Sequence, residues 1–297
     1  MFKGNHLYRA VLTLVLALMV FGCGYDEQRV VIQNKGSDSL LIVAQAWAEA
    51  YHELNGPVMV AVSGGGSGAG FNALLNGTAD IANASRVIKP EEVDLLRQSG
   101  HRLVEHIVGY DALAVFVHAD NPVSSLTLAQ LAEVYADGGS ATTWTDLGVE
   151  VPGCRDQVII LVGRQNISGS YAYFKQAVLG KDKEYKLGTL DLQVSKDVVE
   201  LVENTPCAIG YGGMAYTTDE VKTVCVATEK SEPCVQPTVA SATDRSYPIA
   251  RPLFMYSRGD SSAPVKSYLD WVLGDSGQCA LLEKGYAPVK EVSCPSG

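Results

Sequence analysis

The sequence predicts an α/β fold divided into two lobes with a ligand cleft between them, and three observations carry that prediction. Strand and helix patterns alternate along almost the whole chain, two extended stretches read as crossings between separate cores, and three Gly/Ser runs each stand directly before an amphipathic helical stretch. The runs are GSDSL at Gly36 to Leu40, SGGGSGAGF at Ser63 to Phe71, and RQNISGSYAYF at Arg164 to Phe174. A helix N-terminus carries unpaired N–H groups and roughly +0.5 of a charge, so three of them converging would make an oxyanion cage without a metal.

Taken in order, Val30 to Gln33 reads as a strand, and Leu40 to Leu54 as a helix with Leu40, Val43, Ala44, Trp47 and Tyr51 on one face. Val58 to Val62 is a strand, Phe71 to Leu75 lies in a short helix, Asp80 to Ala84 has strand character, and Pro90 to Gln98 is a helix opened by its proline. Ala112 to His118 (ALAVFVH) is a buried strand, Leu128 to Tyr135 a helix, Val158 to Val162 a strand, and Tyr171 to Val178 a helix. A helix at Ser195 to Val202, strands at Ala208 to Tyr211 and Pro252 to Tyr256, and helices at Pro264 to Leu273 and Gly277 to Lys284 complete the pattern.

The two crossings are Gly109 to Ala114, where one strand-like run ends at Gly-Tyr-Asp and another begins, and Tyr247 to Arg251 (YPIAR). As hinges they assign residues 28–111 plus 249–297 to lobe I and 112–248 to lobe II. The length suits two ordinary domains, and 47% hydrophobic with 19% charged residues is a normal globular composition.

The first 22 residues stand apart from the rest. Lys3 and Arg9 form a positive start, Ala10 to Phe21 is an uncharged apolar run, and Gly22-Cys23 follows. The run is short for a membrane span and suits a signal segment. Gly22-Cys23 resembles a bacterial lipoprotein cleavage site, which implies that Cys23 becomes the lipidated first residue, with residues 23–27 a linker. Without residues 1–22 the chain carries 21 basic against 33 acidic groups, which makes nucleic acid an unfavourable partner. An anion must then be held by local dipoles and a few arginines.

Setting Cys23 aside leaves six cysteines, enough for three disulfides in an oxidising compartment, with fifteen pairings open. Local spacing favours Cys225 with Cys234 across a hairpin and Cys279 with Cys294, which leaves Cys154 with Cys207. No CxxC or HxxxH pair supports a metal centre.

At this point several motifs carry a resemblance. GSDSL followed by Trp47, the stretch SGGGSGAGFNALLNGTADIANASR, GYDALAVFVHADNPVSSLTLAQLAEVYADG with Trp144, R-x-x-x-SGS-YAYF and NTPCAIGYGG are similar in order and spacing to the periplasmic phosphate-binding proteins of phosphate ABC importers. The resemblance runs from about Val30 to the C-terminus and implies the two-lobed periplasmic-binding-protein fold of type II. It also implies inorganic phosphate as ligand, membrane permease subunits as partners, a monomeric state, no cofactor and an extracytoplasmic place on a lipid anchor.

Position by position, Ser67 in GSGAG matches the family's phosphate-binding serine, with Gly68 beside it, and Arg164 matches its arginine, a fork of parallel N–H donors suited to a tetrahedral dianion. Ser168, Gly169 and Ser170 match the SG(T/S) helix start. Ser37, Asp38 and Ser39 sit at the first helix start, and Ser85 and Arg86 sit where the family's chain enters the cleft. Taken singly, the serines are ordinary helix caps and Trp47 and Trp144 packing residues.

Three departures bear on selectivity. Asp38 stands where the best-known members have threonine, Arg86 where they have an aspartate, and Asn166 where they have a second aspartate. A carboxylate in such a site accepts the proton of HPO4 2− and repels sulfate, which has none; discrimination of this kind reaches ~10^4. The expectation is that Asp38 has taken the acceptor role, with Arg86 adding charge or pairing with Asp38. Enzyme readings lack their parts: the glycine run has no P-loop lysine, the relaxed GxGxxA at Gly64, Gly66 and Ala69 lacks an acidic partner, and neither Ser67 nor Ser168 lies in GxSxG. A receptor for sulfate or another oxyanion, and a surface sensor or adhesion lipoprotein on the same fold, are the other readings the residues allow.

Overall fold

The computed structural model of the protein describes residues 29–295; the apolar run, Cys23 and the linker lie outside the described residues. Ten strands are β1 (Val30–Gly36), β2 (Val58–Ser63), β3 (Ile81–Ala84), β4 (Leu103–His118), β5 (Ser125–Thr127), β6 (Ile160–Arg164), β7 (Leu190–Leu192), β8 (Ala208–Gly213), β9 (Val221–Ala227) and β10 (Ala250–Arg258). The α-helices are α1 (Leu41–Leu54), α2 (Ser67–Leu75), α3 (Pro90–Gln98), α4 (Leu128–Tyr135), α5 (Gly169–Phe174), α6 (Ser195–Glu203), α7 (Val239–Thr243), α8 (Ala263–Leu273) and α9 (Asp275–Glu283).

One strand organises the molecule. The first part of β4 pairs antiparallel with β10, from Leu103 opposite Arg258 to Ala112 opposite Ala250. From Leu113 onward β4 changes partners and runs antiparallel between β8 and β9. On one side of that change the sheet order is β2-β1-β3-β10-β4; on the other it continues as β4-β8-β6-β7, with β9 and then β5 on the opposite flank of β4. The sequence suggested two strand runs meeting at Gly-Tyr-Asp. They are one 16-residue strand because the backbone exchanges one set of partners for another without a break.

Parallel pairings set the local handedness and the placement of the loops. β1 lies between β2 and β3, parallel to both, so α1 and α2 are the crossover helices of two successive βαβ units. α1 buries Val43, Ala44, Trp47 and Tyr51 against Val265, Tyr268, Leu269 and Val272 of α8 and Leu281 of α9. On the other sheet face, Phe71 and Leu74 of α2 and Leu96 of α3 pack with Phe254 and Tyr256 of β10. A third cluster, centred on Phe116, Trp144, Phe174 and Tyr211, draws almost wholly on residues between Ala112 and Ile249.

Both tryptophans read as packing residues are fully buried. Trp47 donates its indole N–H to the Gly277 carbonyl at 2.7 Å, and Trp144 donates to that of Cys207 at 3.0 Å. Each buries a large apolar face without stranding its one polar group.

The cysteines form Cys154–Cys207, Cys225–Cys234 and Cys279–Cys294 disulfides. Beside the second, Val226 and Val235 exchange both backbone hydrogen bonds, at 3.0 and 2.8 Å, in the manner of a hairpin. The first closes the longest loop, 53 residues, and joins the turn after the Trp144 segment to the start of β8. Loop-closure entropy predicts that a Cys154→Ala/Cys207→Ala protein loses about 4 kcal/mol of unfolding free energy, and Cys225→Ala/Cys234→Ala about 1.5 kcal/mol less than that. Urea unfolding of the two double variants checks the order.

Candidate functional site

Parallel strands project the loops at their carboxyl ends to one side of a sheet, where α/β proteins place ligands. β1, β2 and β3 end in Gly36, Ser63 and Ala84, so the segments carrying Ser37 to Ser39, Ser67 and Ser85 emerge together. In the second sheet β6 ends at Arg164, and the chain turns through Ser168 into α5. These two sets face each other and form a closed seam. Ser37, Asp38, Ser39, Ser67, Ser85, Arg164, Ser168 and Ser170 are each at most 3% exposed.

Hydroxyl groups meet across and along this seam. Ser37 donates to the Ser85 hydroxyl at 2.7 Å, the Ser67 hydroxyl accepts the Ser85 N–H at 3.1 Å, and the Ser39 and Ser170 hydroxyls lie 3.1 Å apart. Ser168 caps α5 by accepting the Ser170 N–H at 3.1 Å. Ser67 is not itself a cap: it is the first residue of α2, behind Gly66. Its hydroxyl accepts from Ser85 and keeps its own proton to donate.

Glycine makes the close approach possible. A Cβ on Gly169 would fall 2.4 Å from the hydroxyl oxygens of both Ser67 and Ser85, and one on Gly66 would fall 2.8 Å from the Ile167 carbonyl oxygen. Gly66 also has φ of +88°, a backbone state that other residues adopt only with strain. Gly68 then donates its N–H to the Ile167 carbonyl at 3.2 Å, a direct backbone link between the two sides.

Charge enters through Arg164 and Asp38. Arg164 spends three of its five N–H donors on its own side, on the Leu192 carbonyl (3.3 Å), the Gln193 carbonyl (2.6 Å) and the Ser195 hydroxyl (2.6 Å). The guanidinium is thereby fixed in direction with two donors left. Its Nη2 stands 3.7 Å from Asp38 Oδ2. Burial pulls the Arg164 pKa below the ordinary guanidinium value, and the Asp38 charge acts against that fall.

Asp38 is divided in its contacts. Its Oδ1 accepts the Gly65 N–H at 2.9 Å, whereas the buried Oδ2 has no hydrogen-bond partner. The Asp38 carbonyl is gripped by the Tyr216 hydroxyl. Arg86 is not paired with Asp38: it makes a two-pronged ion pair with Glu92, at 2.6 and 2.8 Å, and lies over the Phe71 ring. Its charge is matched at the rim of the seam, and its ion pair is not with Asp38.

Two charged residues the motif reading missed complete the seam. Arg251 and Asp111 are almost wholly buried and form an ion pair at 2.8 Å, one from each of the two crossing segments. The signal was present in the sequence as one ionisable residue beside each of two apolar runs, DALAVFVH and RPLFMY. Among the described residues no cluster of three or more His, Cys, Asp or Glu is placed to hold a metal ion.

Comparisons with known proteins agree with this geometry. The profile of the PBP superfamily domain matches residues 24–276. The phosphate-binding protein PstS of Pseudomonas aeruginosa is 32% identical over 87% of this chain and 83% of its own length. Protein SphX of Synechococcus elongatus is 34% identical over 89% of this chain and 79% of its own. Among solved structures, a Clostridium perfringens protein described as a phosphate ABC transporter substrate-binding protein, with phosphate bound, superposes with a TM-score of 0.77 at 30% identity, covering 88% of this chain and all of that one. An ABC-type phosphate transport receptor of Vibrio cholerae gives 0.67 at 27% identity, over 86% and 99%. With a matching profile over most of its length and relatives above 30% identity along nearly all of it, this chain belongs to the PBP superfamily and, within it, to the family of transporter substrate-binding proteins that includes PstS.

Proposed function

We propose that the chain captures inorganic phosphate in the seam between its two sheets and delivers it to an ABC-type membrane permease. One observation carries the reading: the unpartnered Oδ2 of Asp38 stands beside Arg164 among buried serine hydroxyls and the starts of α2 and α5. Buried polar atoms without partners are uncommon in folded proteins. An acceptor of this kind amid donors matches an anion that carries both bare oxygens and one hydroxyl, which is HPO4 2−. The names and the bound phosphate of the relatives point to the same ion.

In this reading Arg164 gives its two remaining N–H groups to bare oxygens, Ser67, Ser168 and Ser170 add hydroxyl or backbone donors, and Asp38 accepts the phosphate proton. Ser37 and Ser85 shape the wall behind Ser67, Gly68 joins the sides, and Gly169 lets them approach. Charge-assisted hydrogen bonds of ~1.5 to 3 kcal/mol each offset the loss of the anion's hydration. No bond is made or broken in the ligand. The parts either side of the change in β4, residues 28–111 with 249–297 and residues 112–248, open and close about the two crossings.

The same reading places the protein outside the cytoplasm as a monomer, held to the membrane by lipid on Cys23. Three disulfides fit an oxidising compartment. Arg86 stays bound to Glu92, so it adds little charge to the seam and selectivity rests on Asp38.

Calorimetric titration of ligand-stripped protein with phosphate and with sulfate tests the reading. Phosphate binding that sulfate does not compete with is the expected result; equal binding makes the chain a general oxyanion receptor, and no heat with either removes transport from consideration. In the same assay Asp38→Asn is expected to admit sulfate, and an Asp38→Asn protein that still rejects sulfate excludes Asp38 as the selective acceptor. Gly169→Ala, whose methyl collides with Ser67 and Ser85, is expected to retain its fold but lose phosphate affinity by roughly a hundredfold or more, since closure depends on that contact.

A further inference from the structure

Arg251 lies outside every Gly/Ser run, yet it touches more walls of the seam than any residue within them. Its Nε and Nη2 donate to Asp111 Oδ2 at 3.2 and 2.8 Å. Nη2 also donates to the Ser39 hydroxyl at 3.1 Å, and Nη1 donates to the Ser170 hydroxyl at 3.0 Å and the Ser85 carbonyl at 3.3 Å. A guanidinium has five N–H groups, and these contacts use all five. Arg251 therefore has no donor left for a ligand.

The effect on the two serines follows from their hydrogen-bond capacity. Each hydroxyl has one proton and two acceptor positions. Ser39 and Ser170 each accept an N–H from Arg251, so neither proton can point back toward the guanidinium. Their oxygens are 3.1 Å apart, and the line between them holds a single proton. One serine therefore donates to the other, and the second proton is left to face a third acceptor.

Asp111 sets the aim. Its Oδ2 takes two N–H groups of Arg251, and its Oδ1 accepts the Met214 N–H at 3.2 Å, so the carboxylate is anchored to the end of β8. The contacts also span the seam: Ser39 and Ser85 belong to the first side, Ser170 to α5 on the second, and the ion pair to the two crossings between them. The Arg251–Ser170 bond links the two sides directly.

We propose that Arg251, aimed by Asp111, is a positioning residue for anion capture, directing a serine hydroxyl proton of the Ser39–Ser170 pair toward the ligand without touching the ligand itself. This rests on the phosphate reading above. Lysine at this position keeps a charge for Asp111, but a single ammonium cannot hold Asp111, Ser39, Ser170 and the Ser85 carbonyl at once.

The test is a cycle of phosphate titrations on wild type, Arg251→Lys, Ser39→Ala/Ser170→Ala and the triple variant. Arg251→Lys is expected to weaken phosphate binding by roughly tenfold to a hundredfold in the wild-type background, and by less than about threefold once both serines are gone. A purely structural role for Arg251 predicts the same loss in both backgrounds, and that result, or unchanged binding by Arg251→Lys, overturns the proposal. Wild type is measured first: if it binds no phosphate, the phosphate reading itself fails and this inference falls with it. Should Arg251→Lys not fold by circular dichroism, Asp111→Asn/Arg251→Gln, which removes both buried charges together, replaces it in the same cycle with the same two outcomes.

Discussion

Asp38, Arg164, Asp111 and Arg251 are all nearly inaccessible to water, and all four meet in one seam. An unpaired charge in such a place costs several kcal/mol, so each is matched by an opposite charge and by hydrogen bonds from its neighbours. Much of the architecture around the seam follows from that requirement. The segment from the end of β7 to the start of α6 supplies carbonyls and a hydroxyl to Arg164, the glycine loop before α2 supplies an N–H to Asp38, and the turn after β8 supplies one to Asp111.

The two pairs differ in how completely they are matched, and the difference separates their roles. Arg251 and Asp111 satisfy each other and their neighbours at hydrogen-bond distance. Arg164 and Asp38 stand 3.7 Å apart, with donors unspent on one and an orphan oxygen on the other. The first pair behaves as framework. The second has capacity left for something with both acceptor and donor character. The two sides approach closely at Gly66 and Gly169, where any side chain would hold them apart.

A single continuous strand joins the two sides of this tightly matched seam. β4 belongs to both sheets, and its first partner strand, β10, begins where β4 changes neighbours, so the two crossings are hydrogen-bonded to each other at Ala112 and Ala250. The Leu113 N–H donates to the Ile249 carbonyl at the same level. The cores on either side of this pair of strands are separate, since the two clusters share no residue.

The sequence by itself determined most of the regular elements and the cage's serines, glycines and Arg164, because these depend on short-range rules: hydrophobic period, proline at a helix start, glycine and serine before a helix. It did not reveal β5, β7 or α7, which are three to five residues long, too short to display a period. β9 was absorbed into the hairpin expected around Cys225. Nor could it say which arginine pairs with which acid. Arg86 and Glu92 are six residues apart, whereas Arg164 and Asp38 are brought together from distant segments, as are Arg251 and Asp111 across the two crossings. Only the tertiary structure decided those partners, because ion pairing depends on distances of a few ångströms set by sheet order and by the closure of two sides, and neither is written in local spacing.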